Sequence, residues 1–404
     1  MRHRCAPLGG RDGSGVHDVR VTAHRRDRQV PLTGARAAGA AAAARSRLDP
    51  AVFRLPLEKI RSGYYTDAYF NHAKALLEAE DRHPRVLMQV FQKHDTVLGG
   101  IDEALAIVRL ASGRRGADGH WQVGWDDLVV HALYEGDAIA AHETVMTIEG
   151  DYTLFAHLET VYLGCLARRT LIMSNVAAAV AAARGKPILF FPARHDHWLV
   201  QTGDGWAAHF AGAIGVSTDA QASWWGGRGI GTVPHALIAA YDGDTVAAAT
   251  AFARRFAGEM NVTVLVDFDN DSAGTAVAVA DALADRLWGV RLDTSEAIVD
   301  RALEDAPGDR SQRTGVTPQL ARSVRQALDD GGHRDVRIVV SGGFDAARIE
   351  RFEAEAAPVD AYGVGSSLVR GANNFTADIV RVSGRPCAKV GREDRPNPRL
   401  RHVD

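Results

Sequence analysis

The residues best suited to chemistry follow short apolar runs in the second half of the chain. Asp267 and Asp269 come directly after the run 262–266, and Arg291 closes a later run. Carboxylates close to a bound phosphate suit Mg²⁺, which prefers oxygen ligands and keeps several waters. An arginine fork matches a carboxylate or a phosphate, although an internal salt bridge explains Arg291 or Arg194 equally well. Together these residues predict a magnesium-assisted site for an anionic substrate.

Two glycine-rich segments near the end of the chain are typical of phosphate-binding turns. Gly342 and Gly343 follow Ser341 after one apolar run, and Gly365 precedes Ser366 after the next. Glycines let backbone N–H groups approach an anion, and the start of a following helix adds partial positive charge. Either segment alone is equally typical of an ordinary strand-to-helix turn. Two such segments after the last two strands favour a phosphate site.

His235 lies in the segment 231–237, after a Gly-Thr-Val-Pro sequence and before an apolar run. A single histidine is more often structural than catalytic. Glycine and proline constrain the backbone around this one at a predicted strand end, so we predict that it acts as a general base or nucleophile. His195 and His197 are two residues apart with no third ligand in the pattern, which argues against a zinc site.

These side chains need strands that end at one common edge. Apolar runs suited to strands cover 188–191, 214–216, 262–266, 288–292, 336–340 and 359–364, and amphipathic helices over 245–256, 273–286 and 317–329 separate several of them. Strands alternating with helices predict parallel pairing and a closed or partly closed barrel, whose chemistry lies at the carboxyl ends of the strands. Asp271 is expected to cap the helix that follows Asp269.

The earlier part of the chain has a different pattern. Residues 49–160 combine a helix over 100–110 with short strands over 129–149, which predicts a small α/β domain ahead of a barrel domain over 161–370. Residues 1–48 are rich in Arg, Gly and Ala and lack aromatic residues. We expect a disordered leader or a start codon placed too early, with an Arg-rich targeting peptide as the alternative.

Composition narrows the class of partner. The 47 basic and 50 acidic residues nearly balance, which disfavours nucleic acid and anionic membranes as partners, and no uninterrupted apolar run is long enough to span a bilayer. Cys5, Cys165 and Cys387 are too widely spaced for a metal knuckle or redox pair and suit a reducing cytoplasm. None of the five lysines follows a predicted barrel strand, which excludes Schiff-base aldolase chemistry. A small metabolite is the expected partner.

Six segments carry a resemblance to a known family: 65–69, 191–195, 231–235, 289–293, 341–343 and 363–366. In order and spacing over about residues 55–392 they are similar to the nicotinate phosphoribosyltransferases, among the type II phosphoribosyltransferases. The resemblance implies an α/β fold with an irregular or incomplete TIM-like barrel. It also implies a smaller α/β domain that is built from the conserved N-terminal part and completed by the C-terminal segment 371–404.

The resemblance also implies an activity. Nicotinate and phosphoribosyl diphosphate would give nicotinate mononucleotide and diphosphate, coupled to ATP hydrolysis, in cytoplasmic NAD salvage. A homo-oligomer would share its active sites, with Asp67 and Tyr69 reaching a neighbouring subunit. The residues fall into groups by their implied role: Tyr69, Thr232, Arg291 and Arg194 for nicotinate; Asp67, Ser341, Gly342, Gly343, Gly365 and Ser366 for the phosphoribosyl group; Asp267 and Asp269 for Mg²⁺; His235, Asp267 and Arg291 for catalysis, with ATP phosphorylating His235.

Two positions depart from the family pattern. His195 stands where many members have a second arginine, and Ala236 stands where many have a serine after the phosphorylated histidine. We interpret both as features of a branch of the family that bear on ATP coupling. The alternatives are a quinolinate phosphoribosyltransferase, which would need strand-end lysines, a nicotinamide-specific enzyme, and a non-catalytic barrel that binds a phosphorylated metabolite.

Overall fold

A computed structural model describes residues 45–404. The predicted leader over 1–48 lies outside the described residues except for its last four positions. In chain order the strands are β1 (Arg85–Gln92), β2 (Thr96–Val97), β3 (Gly113–Arg115), β4 (Trp121–Val123), β5 (Val129–Ala132), β6 (Ala138–Ile139), β7 (Thr144–Asp151), β8 (Ile188–Phe190), β9 (Gly215–Val216), β10 (Val262–Leu265), β11 (Leu287–Leu292), β12 (Arg337–Val340), β13 (Ala361–Val364), β14 (Phe375–Val382), β15 (Arg385–Pro386) and β16 (Arg401–His402).

The α-helices of the same residues are α1 (Leu57–Arg61), α2 (Ala68–Ala79), α3 (Ile101–Ala111), α4 (Glu159–Ala182), α5 (Gln201–Phe210), α6 (Asp219–Ala222), α7 (His235–Ala240), α8 (Thr245–Phe256), α9 (Ser272–Leu283), α10 (Pro318–Asp330) and α11 (Ala346–Ala354). Short 3₁₀ turns connect several of them. The predicted helices over 100–110, 245–256 and 317–329 agree with α3, α8 and α10 to within one residue at each end.

The first sheet is antiparallel and has the order β15-β14-β1-β7-β5-β16. Strand β1 lies in its middle and pairs with both β7 and β14, so strands from after residue 374 complete a sheet begun at residue 85. Helices α3 and α4 cover it and share a buried core that includes Val90, Ile101, Ile148 and Tyr162. Antiparallel sheets commonly bury one face and expose the other.

The second sheet is parallel and has the order β10-β11-β12-β13-β8-β9. Its strands are short and rich in Val, Ile and Leu, and β8, β10 and β13 are buried at every position. Such continuous apolar runs are typical of parallel strands covered on both faces. The predicted parallel pairing of these six runs is confirmed, and their carboxyl ends meet at one edge of the sheet.

A short segment between α6 and α7 contacts both edge strands of this sheet. The Ile230 N–H donates to the Val216 carbonyl at 2.7 Å, and the Val233 N–H donates to the Thr263 carbonyl at 2.8 Å. Val233 also forms a parallel bridge with Val264. Because one segment reaches β9 and β10 together, the sheet is curled, and residues 232 and 235 are carried to the edge where the strands end.

Local signals account for the boundaries of the helices beside the site. Asp271 accepts a hydrogen bond from the Gly274 N–H at 3.1 Å and begins α9, so the expected cap is confirmed. The predicted helix 273–286 was too long. Its α-helical part ends at Leu283 because Ala284 adopts a left-handed backbone with φ +48°, and a 3₁₀ turn follows.

Helix α4 carries a buried ion-pair network between the two sheets. Arg169 Nε lies 2.9 Å from Glu103 Oε2 on α3, and Arg169 Nη1 lies 2.7 Å from Asp204 Oδ1 on α5. Buried charges persist only when they are paired in this way. The stretch Tyr152–Ala182 is long and apolar enough to cross a membrane by length and composition alone, but its paired charges are those of a core helix.

Candidate active site

Arg291 is the centre of a polar cluster at the carboxyl end of β11. Its Nε donates to Ser341 Oγ at 2.7 Å, and its Nη1 donates to Thr232 Oγ1 at 3.3 Å. The guanidinium lies over the ring of Phe191, 5.1 Å from the ring centroid. Burial lowers the pKa of Arg291, and the nearby Asp293 opposes that shift, so the group stays a cation. The structure thus brings Arg291, Thr232 and Ser341 together as predicted.

Asp293 completes this cluster. Its Oδ2 lies 3.5 Å from Arg291 Nη2, and its Oδ1 accepts a hydrogen bond from Ser341 Oγ at 2.7 Å. A Cβ built on Gly342 would lie 3.2 Å from the same Oδ1 atom, so the glycine turn approaches this carboxylate closely. The Arg291 guanidinium is held on three sides and therefore keeps one orientation. Recognition of a planar substrate needs such a fixed orientation.

His235 and Asp267 form the second polar pair. Asp267 follows the end of β10, and its Oδ1 lies 3.0 Å from His235 Nε2 at the start of α7. The His235 side chain is 41% exposed, whereas that of Asp267 is 6% exposed. The hydrogen bond to Asp267 raises the pKa of His235, against the lowering effect of burial. The arrangement holds the histidine by one nitrogen and leaves the ring accessible to a ligand.

Two glycine turns lie beside the cluster, one after β12 (residues 341–345) and one after β13 (residues 365–367). Gly342 and Gly343 have left-handed backbones, with φ +86° and φ +68°. Within residues 45–404, no backbone N–H of residues 342–345 or 365–367 donates a hydrogen bond. Unpaired N–H groups in adjacent turns are groups that can bind an anion, and the phosphate role predicted for these glycines stays a prediction.

The loop after β8 reaches the second glycine turn. A Cβ built on Gly365 would lie 3.0 Å from His195 Cε1, so the loop and the turn are in contact. Burial and the neighbouring Arg194 lower the pKa of His195, which favours its neutral form at pH 7. Among the described residues, Arg194 makes no hydrogen bond or ion pair, and its charge is close enough to Arg291 to lower the pKa of that group. Arg194 is exposed and available to an anionic ligand.

Three of the predicted site residues lie apart from the polar cluster. Asp269 is exposed in the turn after β10 and has no partner within the described part of the chain. Asp67 accepts a hydrogen bond from Thr160 Oγ1 at 2.9 Å near the start of α4, and the Tyr69 hydroxyl lies 3.5 Å from Asp67. Tyr69 is 62% exposed. Neither Asp67 nor Tyr69 contacts Arg291 or His235 within this chain.

Two residues of the cluster, Asp293 and Phe191, lie in segments that carry the family resemblance but were assigned no role from the sequence. Asp293 comes directly after the end of β11, where polar side chains of a parallel sheet meet at one edge. That position at a strand end was the available signal. Phe191 packs beneath Arg291 and against Gly363, where a Cβ would lie 2.7 Å from the ring. No sequence pattern distinguishes Phe191 from a core residue.

The fold, a curled parallel sheet together with an antiparallel N-terminal sheet, is that of solved phosphoribosyltransferase structures. Residues 67–170 match the model of the quinolinate phosphoribosyl transferase N-terminal domain. The crystal structure of a nicotinate-nucleotide pyrophosphorylase from Pyrococcus furiosus is 31% identical, with a TM-score of 0.71 over 86% of this chain and 85% of that one. Human nicotinic acid phosphoribosyltransferase, at 16% identity, shares the fold with a TM-score of 0.59 over 80% of this chain and 76% of that one.

The curated relatives are named nicotinate phosphoribosyltransferases. A nicotinate phosphoribosyltransferase of Mycobacterium tuberculosis is 33% identical over 264 residues, which are 63% of this chain and 54% of that protein. One of Bacillus subtilis is 25% identical over 245 residues, 59% of this chain and 45% of that protein. The chain belongs to the same family as the Pyrococcus furiosus nicotinate-nucleotide pyrophosphorylase. It spans about half the length of the curated relatives it matches.

Proposed function

We propose that this protein is a nicotinate phosphoribosyltransferase of NAD salvage, which forms nicotinate mononucleotide and diphosphate. The observation that carries the proposal is the position of the Arg291–Thr232–Ser341 cluster directly beside two turns with unpaired backbone N–H groups. A cation for a carboxylate and a cradle for a phosphate, side by side, fit the two substrates of this reaction.

On the nicotinate side, the carboxylate of the substrate would pair with Arg291 and take a hydrogen bond from Thr232. The fork of Arg291 is already oriented by Ser341 and Asp293, so little rotamer freedom is lost on binding. Arg194 is exposed nearby and would add a second positive charge. The ring nitrogen would then point at C1 of the ribose.

On the phosphoribosyl side, the 5-phosphate would lie in the two glycine turns, with Ser341, Gly342, Gly343, Gly365 and Ser366 around it. The ring nitrogen attacks C1 as the bond from C1 to the diphosphate oxygen breaks, through a transition state with oxocarbenium character. The chain contributes by positioning both reactants and by placing charges where they develop.

The carboxylates after β10 fit a magnesium ion. One oxygen of Asp267 is held by His235, and its second oxygen has no partner among residues 45–404. Asp269 is exposed in the same turn, and the described residues bring no three His, Cys, Asp or Glu side chains together. We propose that Asp267 and Asp269 hold Mg²⁺ with water and diphosphate oxygens as the other ligands. The ion would neutralise the charge of the leaving diphosphate.

We also propose that ATP is a co-substrate and phosphorylates His235. Asp267 binds Nε2, so an Nε2–H donated to Asp267 would leave the lone pair on Nδ1 free to attack the γ-phosphorus. The bond from the γ-phosphorus to the β,γ-bridging oxygen breaks, and ADP leaves. Ala236, at the start of α7, supplies no hydroxyl to assist this step.

The rest of the architecture follows the same proposal. The curled parallel sheet would be an irregular barrel over 161–370, and the first sheet would be the smaller domain, formed by 49–160 and 371–404. The exposed Tyr69, with Asp67, would enter the active site of a second subunit in a homo-oligomer, where Tyr69 stacks on the pyridine ring. We propose a cytoplasmic location for the enzyme, and no nucleic acid or membrane partner.

Lysine positions favour nicotinate over quinolinate as the acceptor. Lys186 precedes β8, at the amino end of the sheet, and pairs with Glu353 at 2.7 Å. Lys74 pairs with Glu78 on α2 at 2.7 Å. None of the lysines in the described part of the chain follows a strand of the second sheet. A second substrate carboxylate would therefore lack a lysine partner there.

One assay tests the proposal. The purified protein receives phosphoribosyl diphosphate and Mg²⁺ with nicotinate, nicotinamide or quinolinate, each with and without ATP, and diphosphate release is followed. We expect turnover with nicotinate and an increase on addition of ATP. Turnover with quinolinate or nicotinamide in place of nicotinate would reassign the acceptor. No turnover with any acceptor, alongside tight binding of phosphoribosyl diphosphate, would favour the non-catalytic binding barrel.

A further inference from the structure

We propose that Arg348 and Ser367 are positioning residues that set the backbone of the phosphate cradle without touching the phosphate. Neither follows a strand directly, and both bind carbonyl oxygens of the first glycine turn. The proposal deepens the proposed phosphoribosyl transfer and rests on it for the identity of the ligand.

Arg348 holds the Gly342 peptide. Its Nη1 donates to the Gly342 carbonyl at 2.7 Å, and its Nη2 donates to the Val316 carbonyl at 2.6 Å. The guanidinium also lies 4.3 Å from the centroid of the buried Phe344 ring. With two carbonyls and a ring as partners, the guanidinium has one orientation. Each of its terminal nitrogens donates one hydrogen bond within the chain.

The consequence for the cradle follows from peptide geometry. In a trans peptide the C=O and N–H bonds point in opposite directions, so an oxygen held by Arg348 turns the Gly343 N–H away from Arg348. The carbonyl oxygen would repel a phosphate oxygen, and Arg348 holds it to one side. The N–H, which has no acceptor among the described residues, is left for the ligand.

Ser367 holds a second carbonyl of the same turn, two residues further along the chain. Its Oγ donates to the Phe344 carbonyl at 2.7 Å, which turns the Asp345 N–H the opposite way. Ser367 belongs to the second glycine turn, so this bond also joins the two turns. The left-handed conformations of Gly342 and Gly343 are adopted readily only by glycine, and such a backbone needs external contacts to hold one orientation.

The test compares three variants in calorimetric binding of phosphoribosyl diphosphate, followed by steady-state kinetics. Arg348→Lys keeps the charge but loses the fork that spans two carbonyls, and Ser367→Ala removes a neutral group. Arg351→Lys is the matched control, because Arg351 is exposed one turn further along α11 and makes no side-chain hydrogen bond or ion pair within residues 45–404. Thermal unfolding confirms that each variant is folded.

We expect Arg348→Lys and Ser367→Ala each to raise the dissociation constant for phosphoribosyl diphosphate about 10-fold, the cost of one misaligned hydrogen bond to a charged group. The KM for nicotinate and the kcat should stay within about twofold of wild type, and the Arg351 control should match wild type. Wild-type binding by Ser367→Ala overturns the proposal, because an effect confined to Arg348→Lys would indicate a direct contact of the guanidinium fork with the phosphate. An equal loss of nicotinate affinity overturns it as well.

The binding measurement needs no acceptor, so it separates this proposal from the proposed function. Absence of turnover with the expected pattern of dissociation constants would refute the transferase activity and leave the two positioning residues supported. Normal turnover with unchanged dissociation constants would support the transferase activity and refute the role of the two positioning residues.

Discussion

Replacement of Arg291 by lysine is the most direct test of the nicotinate site. Arg291 meets three partners through three different nitrogens: Ser341, Thr232 and Asp293. A lysine ammonium is a compact charge on a flexible stem and can satisfy at most one of them in the same geometry. The variant therefore keeps the positive charge and loses the planar fork.

The size of the effect can be worked from these contacts. Ser341 Oγ still donates to Asp293, so folding should lose only about 1–2 kcal/mol for two lost hydrogen bonds. Binding should lose more, because a bidentate contact with the substrate carboxylate becomes a single one. One charge-assisted hydrogen bond of about 1.5–3 kcal/mol corresponds to a loss of roughly 10- to 100-fold in kcat/KM for nicotinate.

The assay is diphosphate release at varied nicotinate and saturating phosphoribosyl diphosphate. Arg286→Lys is the matched control, because Arg286 lies just before the opposite end of the same strand and bonds only to carbonyls of the preceding helical turns, those of Leu283 and Ala282. The reasoning is refuted if Arg291→Lys leaves the KM for nicotinate unchanged, or if Arg286→Lys reduces kcat/KM equally.

Three further predictions concern other parts of the molecule. Asp267 raises the pKa of His235, and protonated His235 cannot attack ATP. Asp267→Asn should therefore move the acid limb of ATP stimulation to lower pH. The ratio of the rates with and without ATP, measured from pH 5 to 8, tests this shift. Burial raises the pKa of Glu159 to about 8, so native Glu159 retains a proton that the unfolded chain releases, and stability falls as pH rises from about 4.3 toward 8. Glu159→Gln should therefore raise the melting temperature more at pH 8.5 than at pH 5, and an equal change at both would contradict the assignment. Gly363→Ala would place a methyl 2.7 Å from the Phe191 ring, so it should cost about 1–3 kcal/mol in urea unfolding and raise the KM for nicotinate.

The second sheet could be predicted from the sequence because its strands are continuous apolar runs separated by amphipathic helices. The carboxyl ends of such strands meet at one edge, so the meeting of Arg291 with Ser341 followed from the pattern. Thr232 was placed there by its segment's resemblance to the family. The contact of this segment with both edge strands could not be foreseen, because four residues carry no periodicity.

Other residues stayed hidden for different physical reasons. Asp293 was within reach of a rule based on strand ends, since it directly follows the strand that carries Arg291. Arg348 was not, because an arginine in a polar helix is indistinguishable in sequence from its exposed neighbour Arg351. The proposed action of Asp67 and Tyr69 in a second subunit is a matter of assembly, which the folding pattern of one chain does not specify.

The pairing of β1 with β14 has a consequence for how the protein is made. Val86 pairs with Val382, so one edge of β1 has no partner until nearly the whole chain has been synthesised. At roughly 5–20 residues per second, the intervening residues take on the order of 15–60 s to emerge. The parallel sheet, whose strands lie between these positions, can assemble during that interval. An open strand edge attracts other chains, which makes the nascent N-terminal sheet a natural client for chaperones on the ribosome.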